Sequence, residues 1–315
     1  MTAKEIRALF VVQDLSDKEV SINGYKGIDD SIVIPSAVGN KTVTMIGERA
    51  FRPESHRAKQ EIYRKIRFID VPETVTSIGY EAFENCTGLH KVSLSNSLTR
   101  IGEGAFKGCK NLQNISMPET INYIPNSLFS GCENLTTCEL KNPETLIEGG
   151  AFFHCGSLKR IIVPGEGGLS RTYSFKAYNF LGHVSGAYAF CGCEQLEGIL
   201  LSKELRVIPE GLLNGCASLK EVIIPTSVEV IEKNAFRECA SISQVVIPSN
   251  VKYIETWAFL EMQNLKTVEF KGMNTEINDG AFKNCPKVTF ICDNSSAAAA
   301  YANKHQIPVL REPQR

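Results

Sequence analysis

The chain repeats itself with a fixed period, and this period limits what it can fold into. The dipeptide Ala-Phe, or a close variant, marks each unit, and seven of the nine steps between successive marks measure 23 residues. The marks are Ala50-Phe51, Ala82-Phe83, Ala105-Phe106, Leu128-Phe129, Ala151-Phe152, Ala189-Phe190, Leu212-Leu213, Ala235-Phe236, Ala258-Phe259 and Ala281-Phe282. A fixed period of this length predicts a repeat architecture in which every unit has the same local structure.

Other columns of residues keep the same phase. An isoleucine stands four residues before nearly every mark, and an aliphatic residue, usually leucine, stands six residues after the aromatic one. Between them, three residues after the aromatic one, lies a cysteine column: Cys86, Cys109, Cys132, Cys155, Cys193, Cys216, Cys239 and Cys285, with Met262 once. Because the same positions are apolar in unit after unit, we expect them to form one continuous core.

Each unit can be interpreted as one coil. The segment Leu219 to Ile224 has the pattern L-x-x-V-x-I, whose final alternation predicts a strand with one buried face. Proline follows this strand in five units, where the missing N–H ends strand pairing. A second extended piece, such as Ser227 to Ile231, precedes a single turn that carries the aromatic residue and the thiol. Such coils stabilise one another by stacking, which predicts a solenoid with one parallel strand sheet.

The length of the unit falls within the range of leucine-rich repeats. The units IGEGAFKGCKNLQNISMP (Ile101 to Pro118) and IEKNAFRECASISQVVIP (Ile231 to Pro248) resemble those of BspA-type leucine-rich repeat proteins, found on bacterial surfaces and in some parasitic protists. Lys18 to Phe51 is similar to the entry cap of that family, and Ser295 to Val309 to its closing helix and strand. The resemblance implies a right-handed, mostly β superhelix of the α/β type and a binding or adhesion function with varied ligands. The resemblance implies no catalytic residues.

The repeat boundaries divide the chain into three parts. We expect an N-terminal β cap with entry strands over 1–45, the leucine-rich repeat solenoid over 46–292, and a C-terminal cap helix, strand and tail over 293–315. Insertions interrupt the period at about 52–65 and 165–187. The first insertion is charged and helix-prone, which predicts a solvated loop or helix there.

The charge balance argues against several classes of partner. The chain has 34 basic and 35 acidic residues and no block of like charges, which argues against nucleic acid as the main partner. It has no apolar run long enough for membrane insertion, and its N-terminal segment, Met1 to Val20, does not resemble a signal peptide. The oligomeric state cannot be derived from these features.

The cysteines are better explained by packing than by chemistry. Eight of the eleven share the repeat column, and the total is odd, so we expect buried free thiols, with oxidation between adjacent coils as the alternative. Cys191-Gly192-Cys193 lacks a matching second pair, so we expect no metal. The five histidines are scattered and no catalytic motif occurs. We therefore expect neither enzyme activity nor a cofactor.

Function should then lie on the outward face of the strands. We call the residue between V and I of each L-x-x-V-x-I the slot, and it should face out because strand side chains alternate. The slot residues are Asp70, Ser93, Ser116, Glu139, Ile162, Leu200, Ile223, Val246 and Glu269. Four consecutive slots, from Ile162 to Val246, are apolar. This stripe either binds a partner or is covered by another part of the chain.

The second insertion departs from the repeat where the apolar stripe begins. It carries four aromatic residues, Tyr173, Phe175, Tyr178 and Phe180, and glycines at both ends. Long insertions in rigid scaffolds often carry function, so we hypothesise that these residues lie on or beside the stripe and contact the ligand.

Two functions fit these features. The first is a noncatalytic adhesion module of a bacterial cell-surface or secreted protein, which binds a host matrix protein or a surface protein of another cell. The alternative is an intracellular protein-protein interaction scaffold of the same fold, which the cysteines favour.

Overall fold

The computed structural model describes residues 1–53, 60–164, 170–172, 174–175, 179–180, 183–184 and 186–310. Within these residues the chain consists mainly of short strands and tight turns, with three helices, α1 (Ala3–Leu9), α2 (Gln60–Lys65) and α3 (Ala297–Lys304). The strands are β1 (Phe10–Asp14), β2 (Glu19–Tyr25), β3 (Ser31–Val33), β4 (Ala37–Val38), β5 (Lys41–Ile46), β6 (Phe68–Asp70), β7 (Ser77–Ile78), β8 (Lys91–Ser93), β9 (Arg100–Ile101), β10 (Asn114–Met117), β11 (Tyr123–Ile124), β12 (Thr137–Leu140), β13 (Leu146–Ile147), β14 (Arg160–Pro164), β15 (Ser170–Thr172), β16 (Ser174–Phe175), β17 (Asn179–Phe180), β18 (His183–Val184), β19 (Leu200–Leu201), β20 (Val207–Ile208), β21 (Val230–Ile231), β22 (Gln244–Ile247), β23 (Tyr253–Ile254), β24 (Thr267–Phe270), β25 (Glu276–Ile277), β26 (Thr289–Ile291) and β27 (Val309–Leu310).

The chain forms two compact units. The first unit comprises Met1–Thr145 and Ala151–Arg171, and the second comprises Leu146–Gly150 and Thr172–Arg315. In both units the strands of successive coils pair in parallel, and each residue lies opposite its counterpart in the next repeat, as in Thr137↔Arg160 and Val230↔Tyr253. The predicted solenoid is confirmed.

The first unit begins with a helix that the sequence did not indicate. The Thr2 hydroxyl accepts a hydrogen bond from the Glu5 N–H, and the Glu5 carboxylate accepts one from the Thr2 N–H at 2.7 Å, so a capping box starts α1. β1 and β2 then pair antiparallel, and β2 pairs parallel with β5. The first coils are therefore stacked on a strand of the N-terminal segment.

The coils of the first unit contribute two kinds of strand, and each kind pairs in parallel with its counterpart in the next coil. The strand of the L-x-x-V-x-I motif enters the sheet β3-β6-β8, or lies with β10, β12 and β14. The second extended piece enters the sheet β1-β2-β5-β7-β9, with β4 paired to β5. The motif strands thus form two separate sheets and the second extended pieces up to β9 a third, whereas the sequence predicted one parallel sheet.

The second unit repeats this arrangement. Its motif strands form the sheet β22-β24-β26-β27, its second extended pieces form β20-β21-β23-β25, and β16 pairs with β19. At its C-terminal end the Ser296 hydroxyl accepts a hydrogen bond from the Ala299 N–H at the start of α3. β27 then pairs parallel with β26, so a strand follows the closing helix.

The aromatic marks stack along each core. In the first unit the ring centroids of Phe51, Phe83, Phe106, Phe129 and Phe152 follow one another at 5.1 to 5.8 Å, with interplanar angles of 24° or less. In the second unit Phe236, Phe259 and Phe282 do the same at 5.2 and 4.8 Å. In these stacks one ring per repeat occupies the same place in successive coils, whereas the coil of Leu212-Leu213 has leucine there.

Left-handed backbone closes the turns. The residue just before the Ala-Phe mark has a positive φ in each unit, whether it is Gly211 at 61° or Trp257 at 63°. At Gly211 a Cβ would lie 2.3 Å from two ring carbons of Tyr188, which lies one coil earlier. The neighbouring ring therefore favours glycine at this position, whereas Trp257 shows that a residue with a side chain can adopt the same backbone angle.

Candidate functional site: the outward strand face

The slot residues face outward, as the alternation predicts. In β6, β8 and β10 the slot residue is exposed or half-buried while the residue before it is buried, and in β12 and β14 the slot residue is half-buried. In the second unit Leu200 is 51% exposed, Ile223 is 74% exposed and Val246 is 45% exposed, whereas Glu269 is half-buried. We call this set of slot residues the outward strand face.

The strand register shows which slots are neighbours. In the first unit Asp70 is paired with Ser93, and Ser116, Glu139 and Ile162 follow one another across β10, β12 and β14. In the second unit Val246 is paired with Glu269. Ile162 belongs to the first unit, so the apolar stripe of the second unit consists of Leu200, Ile223 and Val246.

Three slot residues were missed by the sequence reasoning. Val33 is paired with Asp70, and Ile291 and Leu310 continue the slots of the second unit beyond Glu269. Val33 and Leu310 are exposed. The sequence could have indicated Val33 as a slot residue, because S-I-V-I-P at 31–35 has the same pattern of a strand followed by proline as the repeats.

The coil that carries Ile223 keeps the alternation without strand pairing. Residues 219–225 form no strand, although Val222 and Ile224 are buried like Val245 and Ile247 of β22. Burial of the two flanking side chains is therefore sufficient to turn Ile223 outward. It is the most exposed of the three apolar slots.

The second insertion contributes to the core rather than to the surface at Phe175. Phe175 is completely buried, and its ring meets the Phe190 ring edge-on with centroids 5.8 Å apart. The prediction that Phe175 contacts a ligand is wrong, because β16 pairs in register with β19 and Phe175 faces the core as Leu201 does. Tyr173, Tyr178 and the side chain of Phe180 lie outside the described residues.

The insertion lies beside the apolar stripe. Ser174 of β16 is paired with Leu200, and the Leu200 side chain stays half exposed with that strand next to it. β17 and β18 form an antiparallel hairpin in the same segment. Of the described strands of the insertion, β16 therefore extends the sheet at Leu200 and leaves the Leu200 side chain half exposed.

The first insertion forms the helix α2, but this helix is not wholly solvated. Tyr63 is buried with its ring 5.8 Å from that of Phe51. Its hydroxyl accepts a hydrogen bond from the Tyr25 N–H at 3.0 Å and donates one to the Tyr25 carbonyl at 3.2 Å. The expectation of a solvated loop or helix thus missed a buried tyrosine that connects α2 to β2.

The cysteine column is built into the backbone hydrogen bonding. All eleven cysteines are free and buried, which confirms the expectation of free thiols. In the column the thiol donates to the carbonyl of the mark residue one coil earlier, as from Cys109 to Phe83 at 3.2 Å and from Cys239 to Leu213 at 3.2 Å. The thiol is the second donor to this carbonyl, because the Phe83 carbonyl also accepts from the Cys86 N–H at 3.0 Å and the Leu213 carbonyl from the Cys216 N–H at 3.1 Å. A column thiol therefore adds a hydrogen bond between coils to its apolar packing.

Burial also keeps these thiols unreactive. It raises the pKa of Cys239 to about 12 and that of Cys285 to about 11, and it raises the pKa of Cys109, Cys132 and Cys155 further. Since the thiolate is the nucleophile and the metal ligand, a neutral buried thiol supplies neither chemistry at neutral pH.

The described residues contain no group of three or more His, Cys, Asp or Glu side chains placed to hold a metal ion. None of their helices has the length and apolar character that crossing a membrane requires.

Several solved structures are similar to this chain. A leucine rich cell surface protein from Faecalibacterium prausnitzii is 17% identical, with 97% of this chain and 94% of that chain covered and a TM-score of 0.40. The pneumococcal vaccine antigen PcpA is 17% identical, with 97% of both chains covered and a TM-score of 0.48. A leucine rich repeat protein from T. pallidum is 22% identical, with 74% and 88% covered and a TM-score of 0.47. No curated protein matches the chain.

The family is shown by its sequence profile. The profile of the BspA type leucine-rich repeat region matches residues 61–181 and 184–301 in six copies, which is well over half of the chain. These residues contain the aromatic marks from Phe83 to Phe282 and the whole cysteine column. Together with the coils of parallel strands, this match shows that the chain belongs to the BspA-type leucine-rich repeat family.

Proposed function

We propose that the chain is a noncatalytic protein-binding module whose partner contacts the outward strand face of the second unit. The observation that supports this is the exposure of Leu200, Ile223 and Val246 at the same position of three consecutive coils. Neighbouring exposed apolar side chains are uncommon on free protein surfaces, and they commonly mark interaction sites. Buried side chains flank all three residues or lie next to them in the chain, as Val222 and Ile224 do at Ile223, so the surface is preorganised for binding.

The chemistry of the thiols supports a noncatalytic function. The column cysteines are buried, hydrogen-bonded to carbonyl groups and neutral, so they do not provide a nucleophile. The outward strand face itself carries apolar, hydroxyl and carboxylate side chains without a histidine among its slots. Such a surface suits recognition by shape and apolar contact.

We further propose that the module acts in adhesion at the bacterial cell surface or after secretion, with a host matrix protein or another cell's surface protein as partner. The surface location and the adhesion function are proposed because the chain belongs to the BspA-type family. The alternative, an intracellular scaffold of the same fold, is favoured by the free state of all eleven cysteines. Antibody labelling of intact and of permeabilised cells separates the two, because a surface module is labelled in both and a scaffold only after permeabilisation.

A binding experiment tests the surface. Purified matrix and serum proteins are immobilised, and the full chain is compared with the variant Leu200→Asp/Ile223→Asp/Val246→Asp by surface plasmon resonance. We expect the triple variant to lose at least about tenfold in affinity, because a buried interface does not tolerate unpaired carboxylates.

The matched control changes polar slots of the first unit. The variant Ser93→Asp/Ser116→Asp adds carboxylates at outward slots of the same strand position, and we expect its affinity to stay within about twofold of the wild type. Equal binding by the wild type and the triple variant would contradict the proposed site. Failure of the wild type to bind any immobilised protein would contradict the adhesion function.

A further inference from the structure

A second surface with a different chemistry lies in the first unit. A groove is lined by Ile28, Asp29 and Asp30 before β3, by Lys65 at the end of α2 and Arg67 after it, and by His90 before β8. We call it the N-terminal groove. It contains none of the slot residues of the apolar stripe, so it is independent of the function proposed above.

The groove is held open by backbone contacts. The Asp30 carbonyl accepts hydrogen bonds from the N–H groups of Arg67 at 2.7 Å and Phe68 at 3.1 Å, which fixes the two walls side by side. At its base, a Cβ on Gly88 would lie 2.3 Å from the Arg64 carbonyl oxygen. Only glycine therefore allows the chain after α2 to pass this close.

Arg67 is oriented by an aromatic ring rather than by a carboxylate. Its guanidinium carbon lies 5.7 Å from the centre of the Phe68 ring, and that ring lies 6.4 Å from the imidazole of His90. Among the described residues neither Arg67 nor Lys65 forms an ion pair, whereas Arg64 of the same segment pairs with Glu61. A guanidinium held on an aromatic face keeps its donors available for an incoming carboxylate.

Apolar side chains accompany these cations. Ile28 is 85% exposed and Phe68 is 42% exposed, and Val33 of the neighbouring strand is exposed as well. β3 and β6 are paired so that Ser31 lies opposite Phe68, which brings the exposed side chains of both strands to one face. The surface therefore combines two cations that form no ion pair among the described residues with apolar contact area.

The acidic residues narrow the choice of ligand. Asp29 and Asp30 lie in the same groove, and Asp29 accepts a hydrogen bond from the Tyr25 hydroxyl at 2.7 Å. These two carboxylates repel a polyanion such as heparin or nucleic acid. A ligand with isolated carboxylates separated by apolar groups satisfies both the cations and the apolar surface without this repulsion.

We infer that the N-terminal groove binds a protein segment in which a carboxylate side chain stands beside an apolar one. The carboxylate pairs with Arg67 and Lys65, and the apolar side chain packs on Phe68 and Ile28. Arg67 presents a planar fork of donors, so a bidentate pair with the carboxylate is expected.

The test uses fluorescein-labelled decapeptides and the full chain, with binding measured by fluorescence anisotropy. We expect a peptide of alternating Asp and Leu to bind at least about tenfold more tightly than its Asn-Leu counterpart. Arg67→Glu should weaken binding about tenfold, and Phe68→Ser about fivefold. Lys141→Glu is the matched control, because Lys141 is exposed and has no ion pair within the described ranges; its affinity should stay within about twofold.

Three results would overturn the inference. They are equal binding of the Asp and Asn peptides, unchanged affinity of Arg67→Glu, and tighter binding of a heparin oligosaccharide than of the Asp-Leu peptide. Circular dichroism confirms that the variants are folded. Ile223→Asp should leave the affinity for the peptide unchanged, because Ile223 does not line the groove. A failure of this inference can therefore be distinguished from a failure of the proposed function.

Discussion

The two units have the same coil but different outward surfaces. Ring stacking and thiol hydrogen bonds have nearly the same geometry in both, with Cys132 3.2 Å from the Phe106 carbonyl and Cys285 3.0 Å from that of Phe259. The slots differ, because those of the first unit include Asp70 and Ser93 while those of the second include Leu200 and Ile223. Folding therefore depends on the inward columns, and the slots are free to vary for binding.

Alkaline pH should abolish the structure of both units, because both contain the thiol column. Burial raises the pKa of Cys239 to about 12, whereas an unfolded thiol has a pKa of about 8.5. Unfolding therefore releases protons above pH about 8.5, and stability is full below that pH and falls as the pH rises towards about 12. Urea unfolding followed by circular dichroism at a series of pH values measures this loss of stability. A flat free energy of unfolding across this range would contradict it, and Cys239→Ala should lessen the slope.

Removal of one stacked ring should lower the free energy of unfolding by the same amount in either unit. Phe106→Ala and Phe259→Ala each delete a fully buried ring between two others. We expect each to lower the free energy of unfolding by about 3–5 kcal/mol, through lost burial and a cavity. Urea denaturation measures both. A difference of more than about 2 kcal/mol between them would show that the cores are not equivalent.

The turn glycine Gly211 distinguishes local strain from loss of core packing. Gly211→Ala forces a side chain into left-handed backbone and against the Tyr188 ring, which should cost about 2–4 kcal/mol. Gly198→Ala is the control in the same unit, since a Cβ there meets nothing within 4 Å. Differential scanning calorimetry of both variants is the measurement, and equal midpoints would refute the strain.

Loss of a single thiol should have a smaller effect. Cys109→Ala and Cys239→Ala each remove the thiol from a buried site and with it one of the two donors to the Phe83 or Leu213 carbonyl. We expect each to cost about 1–2 kcal/mol in urea unfolding. Cys→Ser at the same positions retains a donor, so a serine variant no more stable than the alanine variant would argue that the thiol acts by packing alone.

Exchange of slot residues should change stability least. Ile223→Ser and Ser116→Ile alter outward side chains of the two units, and each should shift the free energy of unfolding by less than about 0.5 kcal/mol. Binding of an apolar fluorescent dye should fall in the first variant and rise in the second. A stability loss above about 1 kcal/mol in either would show that the slot also serves folding.

Much of the fold could be predicted from residue spacing. The recurrence of Phe83, Cys86 and Leu89 once per repeat is sufficient to predict a coil, a buried column and outward slots, because each coil contacts its neighbours in the same way. The direction of the thiol hydrogen bond could not be predicted, since it joins residues 26 positions apart, such as Phe83 and Cys109.

The insertions were predicted less well because they have no period. Phe175 was expected to contact the ligand, and the segment 52–65, which contains Tyr63, was expected to be a solvated loop or helix. Both side chains are instead buried, with Tyr63 against Phe51 and Phe175 against Phe190. An aromatic residue outside the repeat can fill the core wherever the chain happens to pass. The Arg67 and Phe68 contact was missed for the same reason, since its surroundings come from β3 and α2.

The sequence by itself determined the coil length, the inward columns and the residues at the slots, because a repeat places equivalent side chains in equivalent environments. Only the tertiary structure decided which of these residues stay exposed, where Phe175 lies, and that Arg67 and Ile28 line one groove with the Phe68 ring beside Arg67. Those outcomes depend on contacts between segments distant in the chain, and no local pattern of residues specifies them.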